Sequence, residues 1–286
     1  MGNSPEMKFG GSALQGTERF GPHEDMLLEE VRRLDGVNDI YRLLAWRRNN
    51  ARAQRLAQVA RDFVLPARAE GGVPVVVVSA FDWATDKLEQ LAAVISSNPK
   101  PREFARLLMS GELRANTSLA MTLEAMGCAA ESMTGREAGI VTKGGPTGAL
   151  IDHVQPKHLL SLIEEEIVPV VAGFQGYYRD VERSRDEVSI LGRGGSNLTA
   201  VALADAIEET ECTMFSDVRG LFDRDPRKDP KASQLDAVDA QELFKWDPFP
   251  QVIQREAVEY ACERGVDIWI RSAFEPKVAG TLIKCR

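Results

Sequence analysis

Short apolar runs rich in valine and isoleucine alternate along this chain with segments of helical periodicity, and this alternation limits the possible folds more than any other feature. A run of four to eight apolar residues is long enough for a buried strand. Strands that alternate with helices are typical of parallel sheets covered by helices. The candidate strands are Val75–Ser79, Ala138–Thr142, Val168–Ala172, Cys212–Ser216 and Val266–Arg271. We therefore expect an α/β protein with a mainly parallel central sheet.

Three segments carry the helical periodicity. The first begins at Asn50, a good N-terminal cap, and is expected to end just before Pro66. The second is Leu113–Met126, and the glycine that follows it fits a C-terminal cap. The third, Thr199–Ile207, is small and apolar enough to pack flat on a sheet.

Three other stretches depart from the alternation. The charge run Asp180–Glu187 is interpreted as a solvated hairpin loop. The segment Glu18–Asn49 is charged and helix-prone, and it predicts a helical insertion over 18–49 or, as the alternative, a binding element for another chain. Pro5 and Glu6 interrupt the residues before Lys8, so a strand there is expected to be poor.

Length, charge and cysteine content exclude several classes of function. A chain of 286 residues fits one large domain or two small ones. Its net charge of −8 gives no electrostatic attraction to the phosphates of a nucleic acid. No apolar run approaches the 18 or so residues of a membrane span. The four cysteines and three histidines lack the spacing of a disulfide framework or a metal site. We expect a cytoplasmic protein without a nucleic-acid or membrane partner, and no metal ligands among its side chains.

The first glycine cluster lies near the N-terminus, where Lys8 and Phe9 precede Gly10, Gly11 and Ser12. Adjacent glycines let backbone N–H groups approach an anion closely. The lysine adds a positive charge and the serine adds a hydroxyl donor. This pattern predicts a phosphate site, although the same five residues also fit an ordinary turn.

The second cluster, Gly192–Asn197, follows an apolar run and opens a predicted helix. A glycine-rich turn at a helix N-terminus places N–H donors and the positive end of the helix dipole at one point. Arg193 adds a planar group suited to a carboxylate or phosphate. Anion binding is favoured; the alternative is a tight strand-to-helix connection in which Ser196 or Asn197 is only a cap.

A third group of polar residues follows the predicted strand that ends at Ser216. Asp217 comes directly after this strand, where open α/β sheets bind ligands, and Arg227 lies in the turn Asp225–Arg227. The carboxylate suits a ribose or a metal-bound nucleotide, and the arginine suits a phosphate. Taken alone, the segment is a polar turn.

These motifs together resemble aspartate kinases of the amino acid kinase superfamily. The motifs occur in the family's order and are K-F-G-G-S, V-V-V-V-S-A, G-E, A-G-F-Q-G, G-R-G-G-S, S-D-V-R-G-L-F, D-P-R and the closing R-S-A-F…G-T-L-I. The resemblance covers nearly all of the chain outside 18–49. It implies a three-layer α/β/α sandwich formed by one domain over 1–286. The N-terminal part would bind the substrate and the phosphoryl group, and a lobe from about 188 to 286 would bind the nucleotide.

The implied activity is transfer of the γ-phosphoryl of ATP, with Mg²⁺, to the side-chain carboxylate of L-aspartate, giving 4-phospho-L-aspartate. The implied catalytic residues are Lys8, Gly11, Arg193 and Asn197. The implied substrate-binding residues are Ser12, Ser79, Thr85, Glu112, Phe174, Arg193 and Ser196. The implied nucleotide-binding residues are Lys8, Gly10, Gly11, Gly194, Gly195, Ser216, Asp217, Phe222, Arg227 and Gln251. Within this scheme Glu112 faces the α-ammonium group and Arg193 the α-carboxylate.

The sequence also departs from the family pattern. Asn197 stands where an acidic residue is usual, Gln251 where a lysine is usual, and Phe222 where a tyrosine is usual. The family's regulatory domains would follow Arg286, so no feedback regulation through this chain is expected. The alternatives are a low-activity or non-catalytic binding homologue and a kinase for a related amino-acid carboxylate. A homodimer is a family-level expectation.

Overall fold

The computed structural model describes residues 6–9, 14, 50–81, 83–224, 229 and 231–286. The helical insertion predicted over 18–49 lies outside these residues. Among the described residues, no helix is both long and apolar enough to cross a membrane.

Within the described residues the main sheet has eight strands. In chain order these are β1 (Glu6–Phe9), β2 (Val75–Val78), β3 (Ala130–Met133), β6 (Val168–Ala172), β9 (Glu211–Ser216), β10 (Ala237–Asp239), β11 (Asp267–Ser272) and β12 (Thr281–Lys284). Their spatial order is β10-β12-β11-β9-β1-β2-β6-β3. All neighbours are parallel except β11 and β12. The predicted strands at 75–79, 168–172, 212–216 and 266–271 all lie in this sheet.

Strand β1 runs through the middle of the sheet, so the expectation of a poor strand before Lys8 is wrong. Its four residues pair in register with β2 on one side and with β9 on the other. The buried ring of Phe9 stacks on Phe215 of β9, with 4.7 Å between the ring centroids. Pairing on both sides and ring packing outweigh the weak local strand propensity of Glu6.

A smaller sheet contains the remaining strands, β4 (Ile140–Lys143), β5 (Leu150–Val154), β7 (Gln175–Asp180) and β8 (Arg185–Ile190), in the order β5-β4-β7-β8. The run predicted at 138–142 therefore lies in this mixed sheet, because β4 pairs with β5 antiparallel. The charge run 180–187 is a hairpin, as expected, but half of it is strand, and the connection is only 181–184. Most of its charged side chains are exposed or partly exposed, and the buried carboxylate of Glu187 pairs with Arg102 and Arg185.

Seven helices lie among the described residues. The first, α1, covers 50–59 and continues through the π-helical turn Ala60–Val64 into Leu65–Ala69. The others are α2 (Ala84–Ile95), α3 (Pro101–Ala125), α4 (Lys157–Glu164), α5 (Gly195–Ala206), α6 (Ala240–Leu243) and α7 (Arg255–Arg264). The predicted end of α1 before Pro66 is wrong: the π turn changes the hydrogen-bonding register directly before the proline and so accommodates it.

Alternate residues of the central strands divide the core into two layers. Val76 and Val78 pack with α1 and α3 on one face of the sheet. Val75 and Val77 pack with α5 and α7 on the other. The three-layer α/β/α architecture is therefore confirmed. Helix α5 is buried along almost its whole length and contacts strands of both sheets, so its N-terminus has a fixed position.

Candidate active site

A cleft of about 520 Å³ lies at the carboxyl ends of the central strands. Its walls come from β1, from the residues after β2, β6 and β9, and from the first turn of α5. The lining residues are Lys8, Ser79, Ala80, Thr85, Asp86, Glu89, Glu112, Phe174, Arg193, Gly194, Gly195, Ser196, Asn197, Met214, Phe215, Ser216, Asp217, Gln251, Val252 and Gln254. This is the edge at which open parallel sheets bind ligands.

Lys8 is the cationic residue that β1 brings into the cleft. It lies in register with Val77 and Met214, and the valine belongs to the sheet face that α5 covers. Its side chain is therefore directed to the same face as the α5 N-terminus. Burial lowers the pKa of the Lys8 ammonium to about 8. The group keeps its charge at neutral pH while being poorly solvated, which strengthens its attraction for an anion.

The first turn of α5 forms the opposite wall of the cleft. Gly194 is the N-cap residue and has φ +76°, which favours glycine. Ser196 packs so tightly against Gly173 that a Cβ there would lie 2.7 Å from the Ser196 Oγ. These contacts bring backbone N–H groups and the positive end of a buried helix to the cleft, which suits a phosphate or carboxylate.

Replacing Gly194 with alanine is expected to lower the free energy of unfolding by roughly 1–3 kcal/mol, because a positive φ is strained for alanine. The added Cβ would also lie 2.1 Å from the Gln254 Cδ. Urea unfolding measures the change. Gly192→Ala is the matched control, since nothing lies within 4 Å of a Cβ there. Equal stability of the two variants would contradict the assigned backbone conformation.

Glu112 is the buried carboxylate of the cleft. It projects from α3 and is 3% exposed. Its Oε1 accepts a hydrogen bond of 3.3 Å from the Ala80 amide, whereas its Oε2 has no partner among the described residues. Burial raises the pKa of the Glu112 carboxyl to about 7. A buried carboxylate oxygen without a donor is suited to a cationic group that enters with a ligand.

Arg193 and Asp217 stand at the open side of the cleft. The Arg193 side chain is 87% exposed, and its Nη2 lies 3.5 Å from the Glu89 Oε2. Asp217 follows β9, and its Oδ1 accepts a 3.0 Å hydrogen bond from the Ser216 hydroxyl. Both side chains are free to reorient toward a ligand. An exposed ion pair such as Arg193–Glu89 contributes little to stability, so breaking it costs little free energy.

Asn197 occupies the first turn of α5 and is 4% exposed. Its Nδ2 donates a 2.7 Å hydrogen bond to the Gln254 Oε1. Its Oδ1 is buried and has no partner within the described part of the chain. The position next to G-R-G-G-S therefore offers an oriented acceptor, although it carries no charge.

Most of the residues that the sequence singles out meet in this cleft. Those on its wall are Lys8, Ser79, Thr85, Glu112, Phe174, Arg193, Gly194, Gly195, Ser196, Asn197, Ser216, Asp217 and Gln251. Gly10, Gly11, Ser12 and Arg227 lie outside the described residues. Phe222 does not line the cleft; it forms a bridge with Gln234 instead. The functional roles of these residues remain predictions.

Several residues of the cleft belong to none of the motifs in the sequence. Asp86 and Glu89 lie on α2 beyond Thr85, and Gln254 precedes α7. Glu89 lies one helical turn beyond Thr85, which was a usable pattern, whereas Asp86 is the residue directly after Thr85. Gln254 carried no such pattern, because its relation to Asn197 depends on a contact between residues 57 positions apart.

The fold and this cleft define the class of protein. The amino acid kinase family model matches residues 7–285, and the chain belongs to that family. It is 41% identical over 235 residues to the aspartokinase of Mycolicibacterium smegmatis, across 82% of this chain and 54% of that protein. It is 37% identical over 232 residues to the aspartokinase of Corynebacterium glutamicum, across 81% of this chain and 54% of the other. The chain thus spans about half the length of these curated relatives.

Solved structures give the same picture. Aspartate kinase from Synechocystis superposes with a TM-score of 0.73 at 29% identity, covering 99% of this chain and 40% of that one. An isopentenyl phosphate kinase superposes with a TM-score of 0.61 at 19% identity, covering 98% of this chain and 100% of the other. The second likeness shows a shared fold only.

Proposed function

We propose that this protein transfers the γ-phosphoryl group of ATP to the side-chain carboxylate of L-aspartate and so forms 4-phospho-L-aspartate. The observation that carries the proposal is the pairing of two sites in one cleft. Lys8 and the N-terminus of α5 suit a phosphoryl group, while the unpartnered Glu112 Oε2 suits an ammonium group. Relatives named aspartokinase at 37–41% identity support the same substrate.

The amino acid is expected to be held at both of its charged ends. Glu112 would bind the α-ammonium group through Oε2. This oxygen is buried and has no hydrogen-bond donor among the described residues, so it attracts a cationic group strongly. Arg193 would leave Glu89 and bind the α-carboxylate as a planar two-donor group. Ser79, Thr85, Phe174 and Ser196 would surround the rest of the substrate. This arrangement orients the side-chain carboxylate toward Lys8.

The nucleotide is expected to approach from the side of Asp217 and Gln251. The triphosphate would bind at the glycine-rich turn before α5, beside the Gln254 side chain that packs against Gly194. ATP supplies the transferable phosphoryl group. Among the described residues no cluster of three His, Cys, Asp or Glu side chains is able to hold a metal. Mg²⁺ would arrive on the phosphates, with Asp217 as a carboxylate of the nucleotide side.

Phosphoryl transfer to a carboxylate requires positioning and charge stabilisation more than acid–base groups. A carboxylate nucleophile is ionised at neutral pH and needs no general base. Lys8 and the α5 amides would stabilise the charge that develops on the transferred group. The absence of histidine from the cleft lining, within the described residues, is compatible with this reaction.

The proposal extends to the organisation of the whole protein. A single domain would cover 1–286, and the part from about 188 onward would bind the nucleotide. A homodimer and a cytoplasmic location belong to the same proposal. Size-exclusion chromatography with light scattering tests the dimer directly.

ATP-dependent hydroxamate formation tests the function, because hydroxylamine traps an acyl phosphate. We expect a hydroxamate with L-aspartate and much less with L-glutamate or N-acetyl-L-aspartate. The acetylated analogue keeps both carboxylates but lacks the ammonium group that Glu112 would bind. A hydroxamate with another amino acid alone would favour a kinase for a related carboxylate. No hydroxamate with any acceptor, together with measurable nucleotide binding, would favour the non-catalytic homologue that neutral Asn197 and Gln251 also fit.

The two shifted pKa values predict a narrow pH optimum. Glu112 binds an ammonium group only when ionised, and its pKa is raised to about 7 by burial. Lys8 stabilises an anion only when protonated, and its pKa is lowered to about 8 by burial. The kcat/KM for aspartate should therefore peak between pH 7 and 8 and fall by up to tenfold per pH unit on each side. Steady-state kinetics from pH 5.5 to 9.5 measure the profile, and Glu112→Gln should remove the acidic limb only.

A further inference from the structure

Gln254 is a residue of the cleft that neither the sequence motifs nor the proposed reaction assigns. It is the N-cap residue of α7, and its backbone carbonyl accepts hydrogen bonds from Ala257 and Val258. The guanidinium of the next residue, Arg255, contacts the rings of Phe244 and Phe249, 5.2 and 4.7 Å from their centroids. The backbone beneath the Gln254 side chain is therefore held firmly.

The Gln254 side chain occupies the space above the α5 N-terminus. A Cβ on Gly194 would meet its Cδ, Cγ and Oε1 at 2.1–2.3 Å. From this position its Oε1 accepts the 2.7 Å hydrogen bond from the Asn197 Nδ2. An amide group has one donating and one accepting end, and in this bond the donating end of Asn197 faces Gln254. The Asn197 Oδ1 then faces away from Gln254, buried and without a partner among the described residues.

We propose that Gln254 is a positioning residue that holds the Asn197 amide so that its Oδ1 accepts a hydrogen bond from the Lys8 ammonium group during phosphoryl transfer. Two cationic side chains line the cleft within the described chain, Lys8 and Arg193. Arg193 is exposed and pairs with Glu89, which leaves Lys8 as the less exposed cationic donor. A carboxylate at position 197 would need no such help, because both of its oxygens accept.

This inference rests on the proposed function, and a double-mutant cycle tests it. Gln254→Met keeps the length of the side chain but removes the acceptor. In the wild-type background it should lower kcat about tenfold, with the KM for ATP and aspartate changed less than twofold. In the Asn197→Asp background the same change should lower kcat less than twofold. Gln241→Met, on the exposed surface of α6, controls for the exchange itself.

The titration of Lys8 provides a readout that does not need turnover. The ε-carbon shift of ¹³C-labelled lysine, assigned with Lys8→Arg, should show a lower Lys8 pKa in Gln254→Met than in wild type, by at least half a unit. An oriented acceptor favours the charged ammonium, so its loss lowers the pKa. In the Asn197→Asp background, Gln254→Met should leave the Lys8 pKa unchanged.

The outcomes separate the two ideas. Equal losses of kcat in both backgrounds, or a Lys8 pKa unaffected by Gln254→Met, would overturn the positioning role and leave the kinase function standing. Absence of ATP-dependent turnover in wild type would remove the proposed function, and the Lys8 titration would still decide whether Gln254 orients Asn197.

Discussion

Lys8→Met is expected to lower kcat by at least 100-fold while leaving the protein folded. Removing one donor that stabilises transition-state charge typically costs about 2.7–4 kcal/mol, or 100- to 1000-fold in rate. Methionine keeps most of the apolar stem of lysine, and the β1 backbone keeps its pairing with β2 and β9. Hydroxamate formation at saturating aspartate and ATP measures the loss.

The stability of the Lys8 variant distinguishes a functional residue from a structural one. Burial lowers the pKa of Lys8, which means that the charged form costs the folded protein free energy at neutral pH. The methionine variant should therefore be at least as stable as wild type toward urea. Lys245→Met, at an exposed position after α6, serves as the control. Turnover of Lys8→Met within threefold of wild type would remove Lys8 from the mechanism.

The periodicity of the sequence was sufficient to predict an α/β fold with a mainly parallel central sheet, whereas the three layers were implied by the resemblance to aspartate kinases. Val75–Val78 is apolar on both faces, and this pattern is typical of a parallel strand covered on both sides. The same reasoning failed for β1, because this strand is stabilised by pairing with β2 and β9, which lie far away along the chain. It also failed at Pro66, because a proline predicts a helix end only when the preceding turn is α-helical.

The candidate site shows a similar division. Glycine-rich turns and strand ends are local features, so the cleft wall around Gly194 and Asp217 followed from the sequence. The state of Glu112 did not, because its raised pKa and free Oε2 depend on how α3 packs behind Ala80. The hydrogen bond between Asn197 and Gln254 was equally impossible to predict from the sequence. Local patterns locate a ligand, whereas tertiary contacts decide the charge and orientation of the groups around it.

Glu112→Gln is expected to lower kcat/KM for aspartate about 100-fold, with little change in the KM for ATP. Glutamine keeps the shape of the side chain and an acceptor for the Ala80 amide, but it carries no charge for the substrate ammonium. Truncating one partner of a buried charge pair costs roughly 2–5 kcal/mol. The loss should be smaller for an acceptor without an ammonium group. Kinetics with both substrates varied measure it, and Glu124→Gln, on an exposed part of α3, is the control.

Stability should change in the opposite direction, and with a defined pH dependence. The pKa of Glu112 is raised from its ordinary value to about 7, so the carboxyl adds stability below its unfolded pKa of about 4.5 and loses it as pH rises through 7. At pH 8 the ionised group costs the folded protein roughly 3 kcal/mol, a cost that glutamine does not carry. Glu112→Gln should therefore be more stable than wild type at pH 8, with the advantage shrinking toward pH 5. A variant that loses both stability and aspartate affinity at pH 8 would show that Glu112 is a structural residue of α3, and the ammonium site would have to be sought elsewhere.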